Sequence, residues 1–218
     1  MYRGVTLFQR GARLSDTNAS IGLGSLIIFI AMILVAGIAA SVIIETMNDL
    51  QNTAMETGQE TMRDVSNGIK VTHYTGFNNG SKITQLAIFV SPTAGSQGID
   101  LSYSRVVLRD SNNQLVLSYN SDCFCENVDG LFGSINSSNL TSTSFGLLVI
   151  QDPDGSVNSG NPVMNNNDLI VIIVNATKCF SGIETRTDIT GKVIPESGIA
   201  GIISFTTPSC YIDQITDL

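Results

Sequence analysis

One uncharged stretch dominates the chain and limits how it can fold. No Asp, Glu, Lys or Arg occurs in the 24 residues from Ile21 to Ile44. As a helix rising about 1.5 Å per residue, the stretch would span roughly 36 Å, which is enough to cross the hydrocarbon core of a membrane. The apolar core of an ordinary signal peptide is only about 7–15 residues long and is followed by a cleavage site. The stretch is therefore longer than a discarded signal sequence needs to be.

The residues after this stretch continue the helix rather than ending it. No proline occurs before Val90, and apolar residues recur at helical spacings beyond the uncharged stretch. Asn67 and Gly68 together form a helix stop signal. We predict one helix from about Gly24 to about Ser66, with a first half that is apolar all round. Such a helix is buried on all sides, either in lipid or among other helices.

The distribution of charge predicts the orientation of the chain in a membrane. The residues before the apolar stretch include three arginines and a single acid, namely Arg3, Arg10, Arg13 and Asp16. The whole chain, by contrast, has 11 basic and 19 acidic residues. Basic flanks stay on the cytoplasmic side of a membrane, so we expect the acidic remainder to be exported. The net charge of −8 also argues against a nucleic-acid partner, which would require a basic surface.

Both ends of the chain carry extended motifs. The N-terminal ones are GLGSLIIFIAMILVAGIAASVI at Gly22–Ile43 and TGQETMRDVSNGIKV at Thr57–Val71, and the C-terminal one begins NNDLIVIIVNATKCF and covers Asn166–Tyr211. These motifs resemble those of the archaeal flagellins, or archaellins. The resemblance implies a type IV pilin-like subunit, whose short basic leader is removed while the apolar helix is kept. That helix would hold the subunit in the membrane before packing into a filament core.

The resemblance divides the chain into three parts. Residues 1–19 would be a cleaved basic leader, residues 20–68 the long helix that serves first as membrane anchor and then as filament core, and residues 69–218 an extracellular β-rich head. Small residues in the helix permit close approach of neighbouring helices. The residues that we assign to the filament core are Leu26, Ile30, Leu34, Gly37, Ile38 and Ser41.

The family pattern also predicts the processing site. Family members carry Gly two residues after the new N-terminus, so Gly22 places the cut between Ala19 and Ser20. The family usually has a basic residue and Gly just before the cut, where this chain has Asn18 and Ala19. A cut after Ser20, or one nearer Gly11, therefore stays open.

The pattern changes to alternating and short apolar runs from Val71 onward, separated by Gly, Pro, Asn and Asp. The segment DSNNQ between two of these runs predicts a hairpin loop. We predict an α+β chain in which the long N-terminal hydrophobic helix precedes an antiparallel β-sandwich or barrel, Ig-like in broad class. The predicted strands are Ile83–Val90, Arg105–Arg109, Gln114–Tyr119, Gly146–Ile150, Leu169–Val174, Asp188–Ile194 and Ile199–Phe205.

Four Asn-X-Ser/Thr motifs lie downstream of the apolar stretch. This motif marks acceptor sites for N-glycans on exported surfaces. Archaellins are commonly N-glycosylated, so the resemblance makes all four asparagines candidates, with the one that ends an apolar strand the weakest. The candidates are Asn79, Asn136, Asn139 and Asn175.

The four cysteines fall in the part of the chain that we expect to be exported, where disulfides are favoured. Two of them are only two positions apart and are poorly placed to pair with each other. Two bridges, or one bridge and two thiols, both stay open. The competing interpretations are buried thiols and a four-cysteine zinc site, although the C-x-C spacing departs from the usual zinc pairs. The disulfide candidates are Cys123, Cys125, Cys179 and Cys210.

One loop concentrates oxygen-bearing side chains. In QDPDGSVNSGN, Asp152, Asp154 and Asn158 are close in sequence, and oxygen ligands of this kind bind calcium. The spacing does not match an EF-hand loop, and Asp-Pro-Asp-Gly also favours a turn, which is the interpretation that we prefer. Some archaellins hold a metal ion in the head, so the resemblance keeps a structural calcium-type cation as an alternative. No cofactor is otherwise expected.

No catalytic signature accompanies these features. The single histidine, His73, lacks a partner motif, and neither G-x-S-x-G nor a P-loop occurs. The resemblance implies a non-enzymatic subunit of the archaeal motility filament, the archaellum, that is inserted in the cell membrane and then polymerises into an extracellular rotating propeller. Implied partners are further copies, other archaellins, a leader peptidase, and the membrane assembly and motor machinery. The alternatives are an archaeal type IV adhesion pilin and a monomeric membrane-anchored ectodomain.

Overall fold

The computed structural model describes residues 15–126, 130–135 and 139–218, with side chains from residue 20 onward. Most of the predicted leader, the side chain of Ala19 and the whole of Asn136 lie outside the described residues. The chain divides into two units between Thr57 and Gly58.

The first element is the 52-residue helix α1 (Ser15–Ser66). It ends at the predicted residue, because Asn67 and Gly68 follow it and Gly68 leads directly into the first strand. It begins nine residues before the predicted start at Gly24, at a Ser-Asp pair typical of helix N-termini. Every described α1 side chain, from Ser20 to Ser66, is exposed.

The described residues of the head form eleven strands and one short helix. Nine strands form one sheet with the order β10-β9-β4-β5-β6-β8-β2-β1-β11, and β3 pairs with β7 in a separate two-stranded ladder. The elements are β1 (Ile69–Asn78), β2 (Ile83–Pro92), β3 (Ile99–Asp100), β4 (Arg105–Arg109), β5 (Gln114–Cys125), β6 (Ser144–Gln151), β7 (Val163–Met164), β8 (Leu169–Val174), α2 (Ala176–Phe180), β9 (Asp188–Ile194), β10 (Gly201–Thr206) and β11 (Ile215–Asp217).

The large sheet curls until β10, at one end of the strand order, lies against β1, the second strand from the other end. The backbone N–H of Ile69 donates to the carbonyl of Ile199 at 3.0 Å, and the Tyr74 hydroxyl donates to the carbonyl of Ile202 at 3.1 Å. These contacts bring β10, at one end of the strand order, against β1, which lies near the other. The right-handed twist of a sheet makes such closure natural. The predicted antiparallel head is thus confirmed as a barrel, with β5–β6 as its one parallel pair among the described strands.

The sheet is buried on both faces at its centre. Leu86, Ile88 and other inward residues fill the barrel. The intervening residues of the same strands, such as Ala87 and Val171, form a second cluster on the outer face, which is covered by the segment that carries Phe132 and Ile135. Burial on both faces explains why β8 reads as a continuous apolar run, LIVIIV, rather than as an alternating pattern.

The predicted strands correspond closely to the observed ones. β4, β8 and β9 have the predicted bounds, and β5 runs six residues further than predicted, to Cys125. The predicted hairpin is present, with Arg109 paired to Gln114 across the turn. The sequence pattern does not identify β1, whose alternation follows directly on the helix, or the very short β3, β7 and β11.

Candidate functional sites

The apolar half of α1 carries most of the exposed large apolar side chains in the described chain. Its large apolar side chains are about half to three-quarters exposed, as with Leu34 at 62% and Ile38 at 68%. The other predicted core positions share this exposure: Leu26, Ile30, Gly37 and Ser41. Burying one such leucine or isoleucine is worth roughly 1.5–3 kcal/mol, so this surface strongly favours lipid or other helices over water.

Two hydroxyl groups, one inside the apolar stretch and one just after it, are satisfied by the helix itself. The Ser25 hydroxyl donates to the carbonyl of Gly22 at 2.9 Å, and the Thr46 hydroxyl donates to that of Val42 at 2.8 Å. These bonds remove the need for water next to the two side chains. By length and composition, α1 contains a segment able to cross a membrane.

A cluster of three carboxylates lies where β6 ends and β8 begins. One oxygen of each of Asp152, Asp154 and Asp168 lies within 4.8 Å of the others. Asp152 and Asp154 directly follow β6, and Asp168 directly precedes β8. Because β6 and β8 are antiparallel neighbours, the end of one strand meets the start of the other.

Asp168 is the unusual member of the cluster. The residue is 2% exposed, and its Oδ1 is buried without a hydrogen-bond donor among the described residues. Its Oδ2 accepts the backbone N–H of Asn165 at 2.7 Å. Burial, followed by the charges of Asp152 and Asp154, raises the pKa of Asp168. A buried carboxylate with one oxygen unsatisfied costs free energy unless a proton or a cation completes it.

The other two carboxylates are held in place by the loop. Asp152 accepts backbone N–H groups from Gly155, Ser156 and Val157, so the predicted turn is present. Asp154 accepts the Asn165 side-chain amide at 2.6 Å. Hydrogen bonds from Asn165 and Ser156 lower the pKa of Asp154 and keep it charged.

Asp168 joins the two predicted aspartates in the cluster and was not predicted as a ligand. The side-chain amide of the third predicted ligand, Asn158, donates to the carbonyl of Gly155 at 3.3 Å. Asp168 lies 14 residues beyond Asp154 in sequence. The signal that could have identified it is a carboxylate placed directly before a strand buried on both faces.

The predicted disulfides are not formed in the structure, where all four cysteines carry thiols. Cys123 and Cys125 pack with the outer cluster, whereas Cys179 packs against the barrel interior and Cys210 is exposed. The sheet therefore separates Cys179 from the first two. Burial raises the pKa of Cys179 to about 11, and burial, followed by the Asp122 charge, raises that of Cys123. Both thiols stay protonated at neutral pH, which makes them unreactive.

The sequons differ in accessibility. Asn79 is exposed in the turn between β1 and β2, where its side-chain oxygen accepts the backbone N–H of Lys82 at 3.0 Å. Asn139 is also exposed. Asn175 is only 8% exposed and forms the N-cap of α2 by accepting the backbone N–H of Lys178 at 3.1 Å. Asn136 lies outside the described residues.

The chain has clear relatives. Residues 19–205 match the family model described as archaeal-type flagellin. The chain is 39% identical over 204 residues to Flagellin B2 of Methanocaldococcus jannaschii, covering 91% of this chain and 93% of the relative. It is 41% identical over 213 residues to Flagellin B4 of Pyrococcus abyssi, covering 89% of this chain and 95% of the relative.

Two solved structures share the fold. The crystal structure of the archaeal flagellin FlaB1 from Methanocaldococcus jannaschii is 32% identical, has a TM-score of 0.62, and covers 69% of this chain and 96% of that one. The archaeal flagellum of Methanospirillum hungatei also has a TM-score of 0.62, at 16% identity, covering 87% of this chain and 95% of that one. The match to the family model, the identities to curated relatives and the shared fold show that this chain belongs to the archaeal-type flagellins.

Proposed function

We propose that this chain is a structural subunit of the archaeal motility filament and polymerises through α1. The observation that carries this function is the exposed apolar half of α1 in a chain of the archaeal-type flagellin family. Helices with an apolar surface on all sides can exchange lipid for neighbouring helices at little net cost, because both surroundings are apolar. Copies of α1 form the filament core, and the acidic heads form its outer surface.

The proposal also covers the steps from membrane insertion to assembly of the subunit. The chain is first held in the cell membrane by α1, a leader peptidase removes residues 1–19 by cutting between Ala19 and Ser20, and an assembly machinery transfers the helix into the growing filament. The subunit performs no chemistry, and a membrane motor supplies the rotation. Other archaellins are candidate partners in the same polymer, and nucleic acid is not one.

Two other functions share some of these features. An adhesion pilin would use the same leader and helix, but the family match extends through the head to residue 205 and favours the motility filament. A monomeric ectodomain would use the helix only as an anchor. It would leave the small residues of the helix, such as Gly37, without a packing role.

Shearing the cells tests the proposal directly. Sheared filaments should contain this chain with Ser20 as its N-terminal residue and Ile21–Ile44 intact, as measured by mass spectrometry of the pelleted polymer. A variant with Gly22→Val should accumulate uncut in the membrane fraction, while Gly58→Ala, a change outside the processing site, should be cut normally. A chain that begins after Ile44, or that occurs only as a detergent-soluble monomer, would contradict the filament function.

We also propose that Asp152, Asp154 and Asp168 hold a calcium-type cation that stabilises the head. The unsatisfied Oδ1 of buried Asp168 supports this proposal, because a cation would complete the one carboxylate oxygen among the buried, unpartnered atoms of the described residues. Three carboxylates supply the hard oxygen donors that calcium prefers. Asp152 and Asp154 are already ordered by hydrogen bonds to the loop, so little conformational entropy would be lost on binding.

Exposure predicts which sequons carry glycan. We expect glycan on Asn79 and Asn139 and none on Asn175, because Asn175 is buried and its side chain caps α2. Glycopeptide mass spectrometry of sheared filaments measures the occupancy of each site. Asn79→Gln should remove one glycan mass, whereas Asn175→Ala should leave the total glycan mass unchanged and lower head stability by about 1 kcal/mol through the lost cap. A glycan on Asn175 would contradict this prediction, because it would show that the Asn175 side chain is accessible when the chain is glycosylated.

A further inference from the structure

The outer face of β10, β9, β4 and β5 is both basic and apolar. Ile202, Lys192, Val107 and Val116 are directly paired neighbours and form one row across the four strands. Ile202 and Val116 are 69% and 52% exposed. Further exposed residues of the same face lie on both sides of this row. A shallow depression lies between these residues. We name as the basic face the residues Arg105, Val107, Arg109, Val116, Lys192, Ile194 and Ile202.

The positive charges of this face lack acidic partners. Arg105, Arg109 and Lys192 are three of the seven basic residues in residues 69–218. The ion pairs found among the described residues lie elsewhere, at His73–Asp217 and Lys82–Glu184. The one carboxylate on the same face, Asp188, is at its end and accepts the Thr206 hydroxyl. In an acidic protein, uncompensated basic residues beside exposed isoleucine and valine are typical of an interface for an acidic, amphipathic partner.

The second half of α1 has a mainly acidic surface on one side, with one basic residue, Arg63, within the same arc. Its acids follow one another at intervals of four, seven, four and four residues, which places all five within an arc of about 100° around the helix. Met47, Met62 and Val65 lie on the opposite side and are all more than 60% exposed. The acids, which together we name the acidic stripe, are Glu45, Asp49, Glu56, Glu60 and Asp64.

We propose that the basic face of one copy docks on the acidic stripe of a neighbouring copy in the filament. This inference rests on the proposed polymer: when the apolar side of α1 packs into the helix core, the acidic stripe faces outward, towards the heads. The spans agree. Arg105 and Arg109 are about 13 Å apart along a strand, and Glu56 and Asp64, which are eight helical residues apart, are separated by about 12 Å. Exposed isoleucine and valine on the basic face would be covered at the same time.

Charge reversal tests the contact in full-length chains. Arg109→Glu with Lys192→Glu should lower the yield of sheared filaments about tenfold or more, because opposed charges become like charges at a desolvated contact. Lys70→Glu is the matched control, because Lys70 is an exposed strand lysine of β1 outside the basic face. Adding Glu56→Lys and Glu60→Lys to the double variant should restore the yield to within about threefold of the wild type.

Cysteine pairs distinguish a contact between copies from one within a chain. Cells that express one chain with Lys192→Cys and another with Glu56→Cys should give a disulfide-linked dimer in filaments, since neither chain carries both cysteines. The combination of Lys70→Cys with Glu56→Cys, and each single variant, should give only the background from the native thiols. A disulfide-linked dimer at background level would overturn the docking. A chain that carries both Lys192→Cys and Glu56→Cys and forms the disulfide only within itself would overturn it as well.

The outcomes separate this inference from the proposed function. If the wild-type chain is never recovered in sheared filaments, the polymer itself is wrong. If wild-type filaments form and the charge-reversed variants match Lys70→Glu, only the docking is wrong. If charge reversal instead lowers the amount of protein in the membrane before assembly, the basic face binds anionic lipid and the docking on a second copy is likewise overturned.

Discussion

Replacing Leu34 with lysine should eliminate filaments. Leu34 lies near the middle of the uncharged stretch, and its side chain is 62% exposed in the single chain, so any polymer formed through α1 has to cover it. A lysine at the centre of an apolar surrounding costs about 3 kcal/mol or more, even with the side chain bent towards a polar region. The same cost is repeated in every subunit. We expect filament yield, measured by shearing and pelleting, to fall about hundredfold or more.

The control for this variant is Gln214→Lys, which places the same charge on an exposed residue of the head, outside both α1 and the basic face. It should leave filament yield within about threefold of the wild type, because an exposed surface charge changes stability by a few tenths of a kcal/mol. The head of Leu34→Lys should stay folded, because its core lies entirely in residues 69–218. Resistance of the head to protease in the membrane fraction measures this. Filaments of normal yield and length from Leu34→Lys would rule out core packing through the apolar half of α1.

Features with local causes were predictable from the sequence. The end of α1 follows from Asn67 and Gly68, and the β4–β5 hairpin follows from the polar turn before Gln114. The strongly apolar β8 was predicted with its observed bounds. In each case, neighbouring residues decide the structure, so the pattern in a short window is sufficient.

Features that depend on pairing between distant strands were not predictable. Asp168 joins Asp152 and Asp154 only because β6 and β8 are neighbours in the sheet. The disulfide prediction relied on compartment and count, but Cys123 and Cys179 pack on opposite faces of the sheet. Nothing local in the sequence determines which strands pair, or which face of a strand buried on both sides meets the barrel interior.

The substitution Asp168→Asn, in the cluster of three carboxylates, tests the stability of the head. In the presence of a chelator, this variant should be at least as stable as the wild type. Burial raises the pKa of Asp168, so the folded state binds its proton more tightly than the unfolded state. Stability of the metal-free wild type therefore rises as pH falls towards the raised pKa, and at neutral pH the ionised group is destabilising. An asparagine removes that charge and keeps an oxygen to accept the Asn165 N–H.

Calcium should reverse the order of stability. At a free concentration about 100 times its dissociation constant, a bound cation adds about 2.7 kcal/mol, which corresponds to a rise in Tm of about 5–10 °C for a domain of this size. Asp168→Asn should lose most of that rise, because it removes the charge of a buried carboxylate whose Oδ1 has no hydrogen-bond partner among the described residues. The control Asp213→Asn, an exposed carboxylate outside the cluster, should respond to calcium as the wild type does.

The near-ultraviolet signal of tyrosine follows head unfolding in the full-length chain in detergent, because Trp is absent and Tyr119 and Tyr211 pack against the barrel core. Six melts suffice: wild type, Asp168→Asn and the control Asp213→Asn, each with chelator and with calcium. Calcium binding requires the ionised carboxylates, so its stabilising effect should also weaken in acid, opposite in sign to the trend without metal. Equal melting temperatures of the wild type in chelator and calcium, or an equal calcium response in both proteins, would leave the turn as the only role of this loop.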